Sequence, residues 1–149
     1  MQEKINIVNK KAKFKYFLIK KYVTGLVLNG SEIKSIRQKK ANIDRSFCAF
    51  FDNELYVYNI QIEHYVNSSS FEKQRNKIKL LLNKNELLKL KKELNNLGTT
   101  IVPTKLFISD KGLAKLEVYT VKGKKNYDKR EAIKKRENKV KIDRIKKSN

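Results

Sequence analysis

A chain of 149 residues that is 40% hydrophobic has material for one modest core and an appended tail, and not for two domains. Against 15 acids it carries 36 Lys and Arg, a formal charge of +21. Such an excess repels itself and calls for a polyanionic partner, nucleic acid before an anionic membrane surface. No run approaches the ~20 apolar residues of a spanning helix, Met1 to Lys10 makes a poor secretory signal, and a lone Cys48 excludes an internal disulfide, a composition that fits the cytoplasm.

Short alternating runs dominate the first 121 residues. Phe14 to Ile19 and Tyr22 to Leu28 are rich in aromatic and β-branched residues and predict two strands. Gly30 and Ser31 break the second run. Ser31 reads as the N-cap of a short helix over Glu32 to Lys39, with Glu32 at its positive end. Ile33 and Ile36 share one face of that helix, and Lys34 and Arg37 share another. Phe47 to Phe51 and Glu54 to Ile62 flank Asp52-Asn53, and both loop residues tolerate positive φ, so a hairpin is expected. Cys48 lies inside the first of these apolar runs and reads as a buried thiol.

Asn67 to Ser70 is loop-like, and Lys77 to Leu82 predicts a further strand. Asn83-Lys84-Asn85-Glu86 has the capping-box pattern with Asn as the cap. Leu87, Leu90, Leu94 and Leu97 then recur at helical spacing until Gly98 closes the helix. These leucines read as core, since three turns are too few for a zipper. Thr100 to Ser109 and Leu113 to Val121 predict two strands about Asp110-Lys111-Gly112. Pro103, the only proline, argues for an edge or a bulge in the first of them.

The expected fold is mainly β, a small OB-like antiparallel barrel with about three short helices, because closure removes the edges of so many short strands. Residues 1–121 form the RNA-binding barrel in this reading and residues 122–149 a basic tail. The tail holds 13 Lys and Arg and 4 acids, a net +9, which leaves +12 on the barrel. It has too few apolar residues to fold alone. Glu131 and Lys135, Glu137 and Lys141, and Asp143 and Lys147 nonetheless stand four apart in the order that supports a helix, so the tail is expected to become helical on binding.

Catalytic chemistry finds no foothold. His64 is the only histidine and Cys48 the only cysteine, too few for a zinc site. No phosphate-cradling GxxxxGK[ST] loop and no GxSxG elbow occurs. The expectation is no enzyme, no metal and no cofactor. Basic clusters abound: Lys10-Lys11-Lys13-Lys15, Lys20-Lys21, Lys34-Arg37-Lys39-Lys40, Lys73-Arg75-Lys77-Lys79 and the tail. Any single lysine reads as a solvated face. The set, unbalanced by acids, reads as phosphate-neutralising. Tyr16, Tyr65 and Phe71 are interleaved and able to stack on bases, although residues of this kind are more often core than platform.

Beyond this point a resemblance carries the reading. Asn9-Lys10-Lys11-Ala12 followed by Tyr16-Phe17 resembles the opening motif of the SsrA-binding protein family. Gly25-Leu26-Val27-Leu28-Asn29-Gly30-Ser31-Glu32-Ile33-Lys34-Ser35-Ile36-Arg37 is similar to that family's G-hydrophobic-x-L-x-G-[ST]-E-V-K-S-[LI]-R segment, and Lys40-Ala41-Asn42 continues it. Lys79-Leu80-Leu81-Leu82, Gly98 to Pro103, and Gly123-Lys124-Lys125 with Tyr127-Asp128-Lys129-Arg130-Glu131 extend the resemblance over about residues 9–145. The chain departs from the pattern at Asn83, where the family usually has His, across Glu72 to Ile78, where it has a richer Arg/Pro run, and at Asn138, where many members carry an aromatic residue.

The resemblance implies a monomeric partner of transfer-messenger RNA (SsrA RNA) in trans-translation. The barrel would bind the tRNA-like domain through Asn9, Lys10, Lys11, Tyr16, Glu32, Lys34, Arg37, Lys40, Asn42, Arg75, Lys79, Lys124 and Lys125, with the first seven of these on one surface. Glu32 is the exception to the charge pattern: either it accepts hydrogen bonds from RNA or orients a neighbour, or it only complements the helix N-terminus. The complex would enter the A site of a stalled 70S ribosome. The tail would reach the decoding centre and the empty mRNA channel, lined by 16S rRNA, with Tyr127, Asp128, Lys129 and Arg130 near the decoding centre and Ile145 anchoring the far end. Elongation factor Tu and alanyl-tRNA synthetase would act through the RNA. Composition alone fits a constitutive ribosomal protein equally well, and a nonspecific single-strand binder would need aromatic side chains facing solvent on the barrel.

Overall fold

The computed structural model describes residues 5–63, 76–96 and 98–124. In chain order they form β1 (Asn6–Val8), α1 (Ala12–Lys15), β2 (Tyr16–Leu26), α2 (Gly30–Arg37), β3 (Ala41–Asn42), β4 (Phe47–Phe51), β5 (Glu54–Tyr58), β6 (Gln61–Ile62), β7 (Lys77–Leu81), α3 (Lys84–Leu94), β8 (Thr99–Ile108) and β9 (Ala114–Gly123). The pairing order β8-β4-β5-β7-β2-β9 returns to β8, so six antiparallel strands make a nearly closed ring, with β1 laid on the free edge of β8. β3 and β6 pair separately.

The ring is unequal around its circumference. β2, β9 and β8 pair along almost their whole length. β4 meets β8 at the single register pair Cys48–Ile101, and β2 meets β7 only at Gly25–Leu81 and Leu26–Leu80. Ile36, Leu55, Val57, Leu90, Ile101 and Leu116 are fully buried at the centre. Each such side chain contributes about 1.5–3 kcal/mol by leaving water. Two buried hydroxyls in this core are satisfied: Thr24 Oγ1 donates to the Leu116 carbonyl (3.0 Å) and Ser35 Oγ to that of Glu63 (2.7 Å).

Several expectations hold and others need correction. β4 spans the predicted residues, and Asp52 and Asn53 adopt φ of 49° and 65°, the geometry a tight hairpin demands. Pro103 sits at a register shift between β8 and β9, so the bulge is real. The two strands expected before Gly30 are one, β2, because a bulge between Leu18 and Lys20 lets Lys20 and Lys21 stay in the ladder, and Phe14 belongs instead to the α1 turn. The helix that follows begins two residues earlier than expected. Its N-cap is Asn29 and not Ser31: Asn29 Oδ1 accepts from the Glu32 N–H (2.9 Å), and Glu32 Oε1 accepts from the Asn29 N–H (3.0 Å). That reciprocal pair satisfies two helix-end donors at once. The strand from Glu54 stops at Tyr58, since Asn59 turns to φ 61°, and the chain resumes as β6 at Gln61. Asn83 caps α3, by accepting from the Glu86 N–H at 2.8 Å, which is one of the two bonds of the expected capping box. The helix ends at Leu94 with Asn95 as its C-cap, ahead of Gly98 at φ 80°. β9 runs to Gly123, and the expected helical tail lies outside the described residues.

Candidate nucleic-acid interface

The opening basic cluster is set by one buried asparagine. Asn9, 8% exposed, donates from its backbone N–H to the Thr104 carbonyl (2.9 Å) and from Nδ2 to the Pro103 carbonyl (3.0 Å). Its Oδ1 accepts from the Lys11 N–H (3.3 Å). The amide therefore ties the start of α1 to the bulge of β8 and leaves Lys10, Lys11, Lys13 and Lys15 exposed on the turn. Lys124 closes the other flank: its N–H donates to the Lys15 carbonyl (2.9 Å), its Nζ to the Lys13 carbonyl (3.0 Å), and its ammonium lies 5.1 Å from the Phe17 ring.

Between this turn and the start of β4 lies a cleft of about 180 Å³, lined by Asn9, Lys11, Ala12, Lys15, Tyr16, Asp44, Arg45, Ser46, Phe47 and Val102. Three cations face one acid there. Among the described residues no carboxylate pairs with Lys11, Lys15 or Arg45. The Asp44 N–H donates to Asn42 Oδ1 (2.7 Å), which joins Asn42 to the cleft wall. A phosphate oxygen fits such a cleft, with Tyr16 and Phe47 supplying apolar walls for a base or ribose.

Asn9, Lys10, Lys11, Tyr16 and Lys124 are thus brought together, with Asn42 adjoining. Glu32, Lys34 and Arg37 are not. They stand on α2, beyond the far end of β2, on the order of 30 Å along the strand from Tyr16. There Arg37 Nη2 donates to the Gly112 carbonyl (3.4 Å) in the β8–β9 turn, and Lys40 follows with its N–H on the Ser35 carbonyl (2.9 Å). Glu32 serves the capping box, the helix-terminal role that its position predicted. Lys79 lies elsewhere again, on the outer face of β7, where its Nζ donates to Glu54 Oε1 (3.0 Å). That bond holds the Glu54 carboxyl below its ordinary range. Burial, reinforced by a hydrogen bond to Glu54, raises the neighbouring Tyr56 phenol. Arg75, Lys125, Tyr127, Asp128, Lys129, Arg130 and Ile145 lie outside the described residues, as do Tyr65 and Phe71.

Arg45 and Phe47 escaped the sequence reading. Arg45 is isolated from other basic residues in the sequence, and only the fold sets it opposite Lys11. Phe47 was legible in principle, because a buried Cys48 forces its strand neighbours outward.

Comparison with known proteins places the chain in a family. The family model described as SmpB protein matches residues 6–148. The SsrA-binding protein of Christiangramia forsetii is 53% identical over 148 residues, covering 99% of this chain and 94% of that protein. That of Flavobacterium psychrophilum is 52% identical over 148 residues, covering 99% of both. That of the more distant Agrobacterium fabrum is 43% identical over 135 residues, covering 90% of this chain and 84% of its own. A chain solved under the description "tmRNA-SmpB: a journey to the center of the bacterial ribosome" superposes with a TM-score of 0.69 at 35% identity, covering 87% of this chain and 94% of that one. Matched along nearly its whole length in sequence and in fold, the chain belongs to the SmpB family of SsrA-binding proteins.

Proposed function

We propose that the chain is the transfer-messenger RNA partner of trans-translation: it binds the tRNA-like domain, accompanies it into the A site of a stalled ribosome, and places the tail beyond Lys124, which is still tied to the barrel, in the decoding centre and the vacant mRNA channel. The observation that carries this reading is the family match over residues 6–148, which takes in barrel and tail together. The separation of the two basic sets supports it further. One set surrounds the cleft at Lys11, Lys15, Arg45 and Lys124, and the other lies on α2 at Lys34 and Arg37. Two cationic surfaces at opposite ends of a strand allow one small protein to hold two RNAs, transfer-messenger RNA and 16S rRNA. Phosphate contacts and shape supply the affinity for a folded RNA. Elongation factor Tu and alanyl-tRNA synthetase meet the protein through the RNA. Residues 122–149 hold a net +9 charge, which suits rRNA walls as their partner.

Deletion from Asp128 onward tests the division of labour. The truncated protein should bind the tRNA-like domain with wild-type affinity and fail to tag peptides on stalled ribosomes. Loss of RNA binding together with barrel stability would show that the tail belongs to the barrel and would overturn the reading.

A further inference from the structure

The outer face of β4, β5 and β7 carries an array that the family reading does not use. Alternation sends Cys48, Leu55, Val57, Ile78 and Leu80 into the core. It sends Phe47, Phe51, Tyr56, Tyr58 and Lys77 outward. Cross-strand register aligns Phe47 with Tyr58 and Tyr58 with Lys77. The Phe47 and Tyr58 rings stack at 5.3 Å and 10°, and Phe51 meets Tyr56 edge-on at 6.3 Å and 72°. Phe47 is 41% and Phe51 51% exposed. Lys77 Nζ sits 3.7 Å from the Phe51 centroid and 4.6 Å from that of Tyr56. Among the described residues it has no carboxylate partner, whereas Lys79 beside it is neutralised by Glu54.

Rings on a strand face bury less apolar area than core positions, and a contiguous exposed aromatic patch of this kind marks an interaction surface. The surroundings say which. Phe47 also lines the cationic cleft, so the rings continue directly from Lys11, Lys15 and Arg45. A base leaving that cleft meets a ring already set in a parallel stack. A phosphate reaching Lys77 brings its neighbouring base to Phe51 and Tyr56. Charge and ring geometry together select a nucleic-acid strand with unpaired bases, because a paired helix buries its base faces.

We propose that this face is a platform for single-stranded RNA, with unpaired bases stacked on Phe47 and Phe51 and the adjoining phosphates held by Lys77 and the cleft. The proposal rests on the RNA-binding reading above and extends it from a folded domain recognised by shape to unpaired nucleotides.

The test uses the full chain and a fluorescein-labelled oligouridylate of about ten nucleotides, with a duplex RNA of equal charge and the tRNA-like domain of transfer-messenger RNA as parallel probes. Phe47→Leu and Phe51→Leu retain apolar volume and remove the ring. Each should weaken oligouridylate binding about tenfold, the scale of one stacked base, with the salt dependence unchanged; in Phe51→Leu, which lies outside the cleft, the duplex affinity should stay at wild type as well. Lys77→Gln should lower the salt slope by about 0.7, the single-strand increment for one phosphate. Crosslinking of 4-thiouridine oligouridylate to the wild-type protein should map to β4 and β5, and it decides the matter if a variant misfolds. Unchanged oligouridylate affinity in both ring variants, or equal losses on duplex, overturns the platform. Wild-type binding of the tRNA-like domain without binding of oligouridylate overturns the platform and leaves the family function standing. Failure of both probes overturns the RNA-binding reading itself. Ring variants that keep oligouridylate binding and lose only ribosome association would assign the face to a folded ribosomal surface and overturn the single-strand platform.

Discussion

Asn9→Ala isolates what positions the cationic cleft from the charges that fill it. The substitution deletes the donor to the Pro103 carbonyl and the acceptor of the Lys11 N–H, and it changes no charge. With Asn9 only 8% exposed, water does not fully replace either bond. At about 1 kcal/mol net for each, the loss is about 2 kcal/mol. For a barrel of this size that lowers the melting temperature by about 10 °C. The turn bearing Lys10 and Lys11 then loosens from the β8 bulge, and affinity for the tRNA-like domain should fall about 3–10-fold, a loss of about 1 kcal/mol of positioning. Lys11→Gln is the converse. It should melt within about 0.5 kcal/mol of wild type, as exposed surface changes do. Its binding should show a salt slope lower by about 0.9 if it faces duplex-like RNA. Circular dichroism melting and fluorescence anisotropy across a salt series read both effects. An Asn9→Ala protein with wild-type stability and wild-type affinity would refute the positioning role, and an unchanged slope in Lys11→Gln would remove Lys11 from the interface.

Two further outcomes follow from local geometry. Asn29→Ala should cost about 1–2 kcal/mol in thermal denaturation through loss of the α2 cap, whereas Glu32→Gln retains an acceptor for the Asn29 N–H and should stay within about 0.5 kcal/mol; equal losses would show that the cap is not what Glu32 supplies. Tyr22 is pushed up to about 12 by burial, aided by its hydrogen bond to Glu93 and that residue's charge. The folded state thus favours the neutral phenol, a contribution complete below the ordinary value of about 10 and lost as the pH rises through about 12. An absorbance titration should show a late tyrosinate phase that Tyr22→Phe removes, and its persistence in that variant would contradict the assignment.

The parts of the fold that could be read from the chain are those fixed by neighbours in sequence. Asp52-Asn53 turns the hairpin because both residues adopt positive φ without help from elsewhere. Asn83 caps α3 for reasons contained within four residues. Where two local signals compete, the fold decides. Asn29 and Ser31 are both good caps, and Asn29 prevails because it is placed to complete the box with Glu32 and because Ser31 Oγ is itself bonded to Asn29 Oδ1 at 2.8 Å. Lys20 and Lys21 look like a break in the apolar run before Gly30. The full-length ladder with β9 carries them through, with the Lys20 N–H donating to Thr120 Oγ1 (3.2 Å) on a strand 100 residues away.

The same reasoning separates the two halves of the interface. Lys10, Lys11 and Tyr16 were legible because one short motif contains them, and α1 keeps such neighbours together whatever the rest of the chain does. Their grouping with Glu32, Lys34 and Arg37 failed because β2 intervenes, and an extended strand separates its ends as far as the barrel permits. Arg45 and Phe47 required the opposite step, the return of the chain after α2 to the Tyr16 end of the barrel. The aromatic face shows how strand parity should have been used. In Phe47 to Phe51 five residues looked uniformly apolar, and a buried Cys48 at the second position already puts Phe47, Ala49 and Phe51 on the other side. Glu54 at the start of β5 and Lys77 and Lys79 on β7 mark that side as solvent-facing, because three charges at alternating positions cannot all line a core. Rings on such a surface, with a lysine set against them, obey the periodicity of a sheet with one wet face, and their apolar character alone is what made them look like core.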